Sequence, residues 1–330
     1  MLSLSIAILT VAMAGLLLWK DLHAPLNHQE ALDFTVPSGM AFTGLARKLQ
    51  QSGLVDHTIS LRIWARFSSK DTAIKTGEYL LEPGLSSLQV IDKIVRGDVK
   101  QYRLTLVEGW TLSRVLAEMQ ANPRIVNTLS GNNLQNLPTL LGVDAVSAEG
   151  LIFPDTYSFS NATTDIELLR RAHSRLQTIL EQAWTARAGA LPLNSAYEAL
   201  ILASIVEKET AVAEEREQIA GVFIRRLENG MRLQSDPTVI YGLGDNFSGD
   251  LRRDDLQDAS NPYNTYRNNG LPPTPIALAG LASINAVLHP DASSALYFVA
   301  KGDGTHYFSS TLEEHNQAVR RYQLGQTETR

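Results

Sequence analysis

The segment from Ala196 to Thr210, AYEALILASIVEKET, ends an apolar run on Glu207, Lys208 and Glu209. Tyr197, Leu200, Ile201, Leu202, Ile205 and Val206 project around most of a helical wheel, so the spacing predicts a helix buried on nearly every side. At about 100° per residue, Glu209 falls between Leu202 and Ile205, and Glu207 beside Leu200 and Ala203. Either carboxyl is placed for partial desolvation, which raises a carboxyl pKa. A carboxyl that keeps its proton near neutrality can serve as general acid on a glycosidic oxygen. The same pattern also fits a helix end that surfaces into water with ordinary solvated charges.

Further along lie groups suited to a long polar ligand: Gln234-Ser235-Asp236-Pro237-Thr238, then Tyr241, then Asn261-Pro262-Tyr263-Asn264-Thr265-Tyr266. Amides, hydroxyls and aromatic rings on turns match sugar hydroxyls and ring faces. Glu149 to Tyr157, EGLIFPDTY, either lines a site or ties down a loop, and Gly270-Leu271-Pro272-Pro273 reads as a rigid turn. His289 and His306 read as structural histidines. No cysteine is present, which excludes disulfides, thiolate nucleophiles and iron–sulfur clusters, and the seven histidines show no metal-ligand spacing. Neither a metal nor a cofactor is expected.

These residues need a scaffold, and 330 residues suffice for about two domains. With 44% hydrophobic and 19% charged residues the chain fits neither a disordered protein nor a multi-span membrane protein. A net charge of -6 gives no basic surplus for nucleic acid. Residues 33–98 alternate strand and helix patterns: Asp33 to Val36, two short helices around Phe42 to Leu49 and Ile59 to Phe67, a strand at Gly77 to Glu82, and a helix from Ser86 to Arg96 stopped by Gly97. The rest, 102–330, begins with a strand at Tyr102 to Val107. It continues with a helix capped by Thr111 or Ser113, irregular structure between Asn122 and Val146, and helices from Thr163 to about Arg187, through Ala196 to Val206, and over Arg216 to Leu227. Strands at Leu296 to Ala300 and His306 to Phe308 complete a modest sheet. The fold class is α+β.

Residues 1–19, MLSLSIAILTVAMAGLLLW, carry no charge and approach the length that crosses a bilayer core of about 30 Å, so they read as a single transmembrane anchor, joined by a linker over 20–32. Lys20 follows the run and no base precedes it, leaving the positive-inside rule almost silent about orientation.

Five blocks occur in one order: Glu149-Gly150 with Phe153 to Tyr157; Ala203 to Thr210; Arg226-Leu227 with Gly230 to Val239; Asn264-Thr265-Tyr266; and Gly270 to Pro273. With them the chain resembles, along its full length, the YceG-like (MltG-type) endolytic murein transglycosylases of bacteria. Thr274 departs from the glycine expected after Leu-Pro-Pro. The resemblance implies an anchor, a small LysM-like α+β domain and a larger mixed α+β catalytic domain. It implies cleavage of the β-1,4 bond between N-acetylmuramic acid and N-acetylglucosamine, the muramic 6-hydroxyl attacking its own anomeric carbon to leave a 1,6-anhydro end that terminates strand elongation. The second glutamate of the block, Glu209, is then the catalytic group, with Gln234, Asp236, Tyr241, Tyr263 and Asn264 as substrate contacts. The intramolecular nucleophile removes the need for the second carboxylate of a hydrolase, which spacing does not reveal. Implied partners are glycan strands and the peptidoglycan synthases (penicillin-binding proteins), with the chain on the inner membrane facing the periplasm. The competing expectations are a hydrolytic muramidase and a membrane-anchored glycan-binding adaptor.

Overall fold

A computed structural model describes residues 2–68 and 74–324; residues 69–73 of the expected LysM-like domain and 325–330 of the expected catalytic domain lie outside the described residues. The chain divides into two units, residues 1–103 with 158–162, and 104–157 with 163–330. The architecture is mixed α+β.

The first unit opens with helix α1 (Leu2–His23), of which Leu4–His23 is long and apolar enough to cross a membrane at a mean hydropathy of 1.6. Strand β1 (Leu32–Val36) pairs antiparallel with β2 (Gly77–Leu81), Leu32 opposite Leu81 and Val36 opposite Gly77. Helices α2 (Phe42–Gln51), α3 (Ile59–Ser68) and α4 (Ser87–Arg96) complete the unit around Phe34, Leu45, Leu49, Leu61, Tyr79 and Ile91. Ser86 and Gln89 form a reciprocal capping box at the start of α4, and Gly97 ends it at φ +75°. The segment expected as a linker differs. The helix of the anchor continues to His23, Leu22 and Leu26 are buried in this core, and the Leu26 N–H donates to the Leu85 carbonyl at 2.8 Å. Apolar residues at both positions dock what charge alone presents as a tether.

Strand β3 (Gln101–Thr105) pairs with β5 (Thr156–Ser160), and the two-residue strands β4 (Ile125–Val126) and β6 (Thr163–Thr164) pair in parallel. In the second unit, Thr111 caps α5 (Leu112–Ala121), and the stretch between Asn122 and Val146, expected to be irregular, holds β4 and the short helices α6 (Asn132–Gln135) and α7 (Leu137–Leu140). A Thr164–Glu167 capping box opens α8 (Asp165–Thr185). Helix α9 (Ala196–Glu209) is the axis of the unit: Ala199 to Val206 are all buried, packed against α8, α10 (Arg216–Glu228) and α13 (Leu281–Leu288). Each large aliphatic side chain so buried contributes about 1.5–3 kcal/mol. Between α10 and α13 lie α11 (Asp236–Leu243) and α12 (Arg253–Gln257). The expected sheet is a hairpin, β7 (Tyr297–Ala300) antiparallel to β8 (His306–Ser309), followed by α14 (Leu312–Tyr322). Among the described residues, strands pair only in twos.

Candidate active site

Helix α9 is fixed at both ends. The Ser195 hydroxyl accepts the Glu198 N–H at 3.2 Å at its start, and Thr210 leaves the helix in an extended conformation at its end. Its last turn carries the two acids in different environments. Oε2 of Glu207 accepts the Gly280 N–H at 3.0 Å and the Ser283 hydroxyl at 2.7 Å, so this carboxylate caps α13. One turn earlier, the buried Ser204 hydroxyl accepts the Ile276 N–H at 3.0 Å. Both partners lie more than seventy residues downstream, beyond the reach of helical spacing.

Glu209 points elsewhere. Its Oε1 accepts the Ser235 hydroxyl at 2.5 Å, and burial pushes its pKa from 4.5 up to about 7. The Ser235 hydrogen bond and the positive charge of Arg226 oppose that rise; the negative charge of Asp236 reinforces it. A carboxyl in this state is divided between acid and base near neutral pH, so it can donate a proton and take one back.

Ser235 is the residue before α11, where a serine usually caps the helix, yet its side chain bonds no helix N–H. Pro237 in the first turn has no N–H to satisfy, which lowers the cost of turning the hydroxyl to Glu209 instead. The bend into this helix places Gln234 at φ +52°, a left-handed conformation that costs a non-glycine residue of order 1–3 kcal/mol. Thr265 holds the bend: its carbonyl accepts the Gln234 N–H at 3.2 Å, and its hydroxyl accepts the Ser235 N–H at 3.0 Å. Thr238 adds a bond from its hydroxyl to the Ser235 carbonyl at 2.6 Å.

Glu209, Gln234 and Asp236 face one cavity of about 490 Å³, whose remaining wall includes Tyr266, Tyr297 and His306. That size suits a small polar ligand or a few units of a longer one. The Tyr266 hydroxyl donates to Asp236 Oδ1 at 2.6 Å. His306 is held by Glu215, whose carboxylate meets its Nδ1 at 2.7 Å and accepts its backbone N–H at 2.8 Å. The structural role expected of His306 is therefore real, but the ring also borders the cavity.

Three of the expected contacts are elsewhere. Asn264 is wholly buried and its Nδ2 donates to the carbonyls of Asp255, Leu256 and Asp258, so it clamps a loop rather than facing a ligand. Tyr241 and Tyr263 pack edge to face with ring centroids 4.8 Å apart. Their hydroxyls reach inward, Tyr241 donating to Glu149 Oε2 at 3.1 Å and Tyr263 bonding Thr274 at 2.9 Å. Glu149, 5% exposed, also accepts the Leu112 N–H at 2.9 Å; of its two expected roles it takes the tying of a loop. The neighbouring Gly150, at φ +72°, brings its backbone so close to Pro275 that a Cβ would lie 2.3 Å from the proline Cβ. Thr274 is part of this hydroxyl network, not an exposed turn residue.

Sequence reasoning missed Arg226 and Tyr297 as site groups, and it placed Ser235 and Tyr266 among the polar-ligand groups without giving either a role of its own. It also missed that Asp236 brings a second carboxylate to the cavity of Glu209.

Replacing Asp236 by Asn removes a like charge and lowers the pKa of Glu209. If protonated Glu209 is the working acid, activity is lost as pH rises through that pKa, and the alkaline limb of the pH–rate profile moves to lower pH in Asp236→Asn.

The site thus joins one carboxyl raised to about 7 and a second carboxylate, Asp236, in a cleft of hydroxyl, amide and aromatic groups. The YceG-like family profile matches residues 34–321, and the chain belongs to that family. It is 28% identical over 318 residues to a Bacillus subtilis protein named endolytic murein transglycosylase, covering 90% of this chain and 86% of the relative. A Streptococcus pneumoniae protein of the same name is 29% identical over 328 residues; there the chain spans 58% of the relative's length. A solved YceG-like structure from Listeria monocytogenes, 28% identical, superposes with a TM-score of 0.55 over 87% of this chain and 98% of that one.

Proposed function

We propose that this chain is an endolytic murein transglycosylase, cutting glycan strands between N-acetylmuramic acid and N-acetylglucosamine without water as nucleophile. The observation that carries the reading is Glu209, a carboxyl raised to about 7 on the wall of a polar and aromatic cavity. Its proton passes to the glycosidic oxygen as the C1–O bond breaks. The muramic 6-hydroxyl closes on C1, its proton returns to Glu209, and the enzyme is regenerated with a 1,6-anhydro end on the product. The nucleophile belongs to the substrate, so proximity replaces bulk water. Gln234 and Asp236 are the cavity groups available to orient the sugar. Tyr241, Tyr263 and Asn264, occupied by the protein's own contacts, support the walls.

Helix α1 serves as a single-pass anchor in the inner membrane, with the second unit on the periplasmic side where glycan strands are made. There, cleavage beside the penicillin-binding synthases would end strand growth. The β1–α2–α3–β2 order of the first unit, over residues 33–98, supports a LysM-like module that binds glycan.

A second reading, hydrolysis by a muramidase, has Asp236 in its favour as a base for water. The products decide. Mass spectrometry of digested, uncross-linked strands is expected to show new ends one water lighter than reducing ends. Reducing ends alone would establish the muramidase, and no new ends the glycan-binding adaptor.

A further inference from the structure

Helix α3 presents two unlike faces. Ser60, Leu61 and Ala65 are buried in the core of the first unit. Going round the helix at about 100° per residue, the exposed arc runs in the order Arg62, Arg66, Ile59, Ile63, Phe67. Ile59 is 62% exposed, Ile63 38% and Phe67 85%. The helix contains no acidic residue. The arc therefore has a basic edge and an apolar edge, contiguous with a groove of about 600 Å³ that α3 forms with Ala41, Phe42 and Thr43.

The position of this arc is set by α1. The carboxylate of Asp21 accepts the Ser60 hydroxyl and lies 3.5 Å from His57 Nε2. Leu22 is buried in the same core as Leu61. The start of α3 is thus bolted to the turn of α1 that follows Trp19 and Lys20. Residues 2–19, at about 1.5 Å per residue, span about 27 Å, close to the thickness of a bilayer core. Trp19, stacked on His23 and 59% exposed, is of the residue type enriched where hydrocarbon meets headgroups, and it closes the apolar run. The first residues of α3 are held at that level.

We infer that the exposed arc of α3 docks on the membrane surface, Ile59, Ile63 and Phe67 entering the headgroup boundary while Arg62, Arg66 and Lys20 meet anionic lipid phosphates. An apolar stripe beside basic residues is the composition of an interfacial helix. Among the exposed side chains of the arc, only the two guanidinium groups are polar, a poor match to a neutral sugar. Docking at a second point turns a swivelling tether into a fixed mount for the first unit. The inference rests on reading α1 as a membrane anchor.

The chain has no cysteine, so Phe67→Cys, Leu16→Cys and Val146→Cys each create a unique labelling site. The full-length proteins are spin-labelled and reconstituted in vesicles of phosphatidylethanolamine and phosphatidylglycerol, and accessibility to oxygen and to a water-soluble nickel chelate is measured. Val146, 98% exposed, gives the aqueous reference. The expected oxygen-to-nickel ratio at position 67 is several-fold above that reference and below that at position 16. Introducing Arg62→Glu with Arg66→Glu returns position 67 to the aqueous value and leaves position 16 unchanged. Lipid exposure at 16 with water exposure at 67 overturns the docking alone. Water exposure at both overturns the anchor and the docking with it. Shielding at 67 with spin–spin broadening, showing a second copy, or shielding that needs added glycan fragments, likewise overturns the proposal.

Discussion

A Glu209→Gln protein is expected to lose cleavage by about 10²–10⁴-fold while becoming more stable than the parent above neutral pH. Glutamine keeps the shape of the side chain and retains an acceptor for the Ser235 hydroxyl, but it has no proton to give. The stability gain follows from linkage. The folded chain raises the carboxyl from 4.5 to about 7, so between those values the folded state holds more proton than the unfolded one and stability falls as pH rises. The cost is absent below about pH 4.5 and fully present above 7, where it reaches about 3 kcal/mol at most. Denaturant titrations of the detergent-solubilised pair at pH 5 and pH 8 are expected to diverge at the higher pH, and strand digestion measures the lost activity. A glycan-binding adaptor would lose nothing in function. Retained cleavage in Glu209→Gln would remove this residue from the chemistry.

That a protein keeps a destabilising acid at the end of a deeply buried helix was legible in part from spacing. The apolar wheel of α9 gave the burial, and helical geometry gave two candidate carboxyls. What separated them was not local. Glu207 is satisfied by Gly280 and Ser283, and Glu209 by Ser235, all contributed by segments whose approach depends on how α10, α11 and α13 pack. The same distinction explains the substrate residues. Gln234, Asp236, Tyr241, Tyr263 and Asn264 share the residue types that bind sugars, and those types also serve turns and buried networks. Asn264 can supply two N–H donors, and three nearby carbonyls consume them; no feature of its own sequence neighbourhood distinguishes that from a waiting amide. The cap of α5 was plainer, because Thr111, one of the two residues expected there, acts within its own turn. Leu22 and Leu26, in a short polar stretch, docked where a linker was expected because two apolar side chains suffice to pin a segment once a core is adjacent.

Arg226 holds the site together from α10, and its replacement by Met is expected to cost about 3–5 kcal/mol, the range for a buried charge network broken at one partner. The side chain is 6% exposed. Its Nε donates to the Leu296 carbonyl at 2.7 Å, and Nη1 to the Leu233 carbonyl at 2.7 Å and the Arg232 carbonyl at 3.4 Å, while the guanidinium lies 5.2 Å from the Tyr297 ring centroid. One group thus joins the bend that carries Ser235 to the hairpin that forms the opposite wall. Methionine fills the volume and leaves these carbonyls unpaired; lysine restores one charge but not the planar fork, so Arg226→Lys should fall between. Thermal unfolding of the three proteins ranks them. Their pH–rate profiles then separate loosening from electrostatics. Loss of the positive charge raises the pKa of Glu209 further, moving the alkaline limb to higher pH in Arg226→Met, opposite to its movement in Asp236→Asn. Arg226→Lys, with the charge retained, should lose stability with less movement of the limb. A loosened site would move the limb in one direction for every variant, whereas shifts of opposite sign require that both charges act on the same carboxyl.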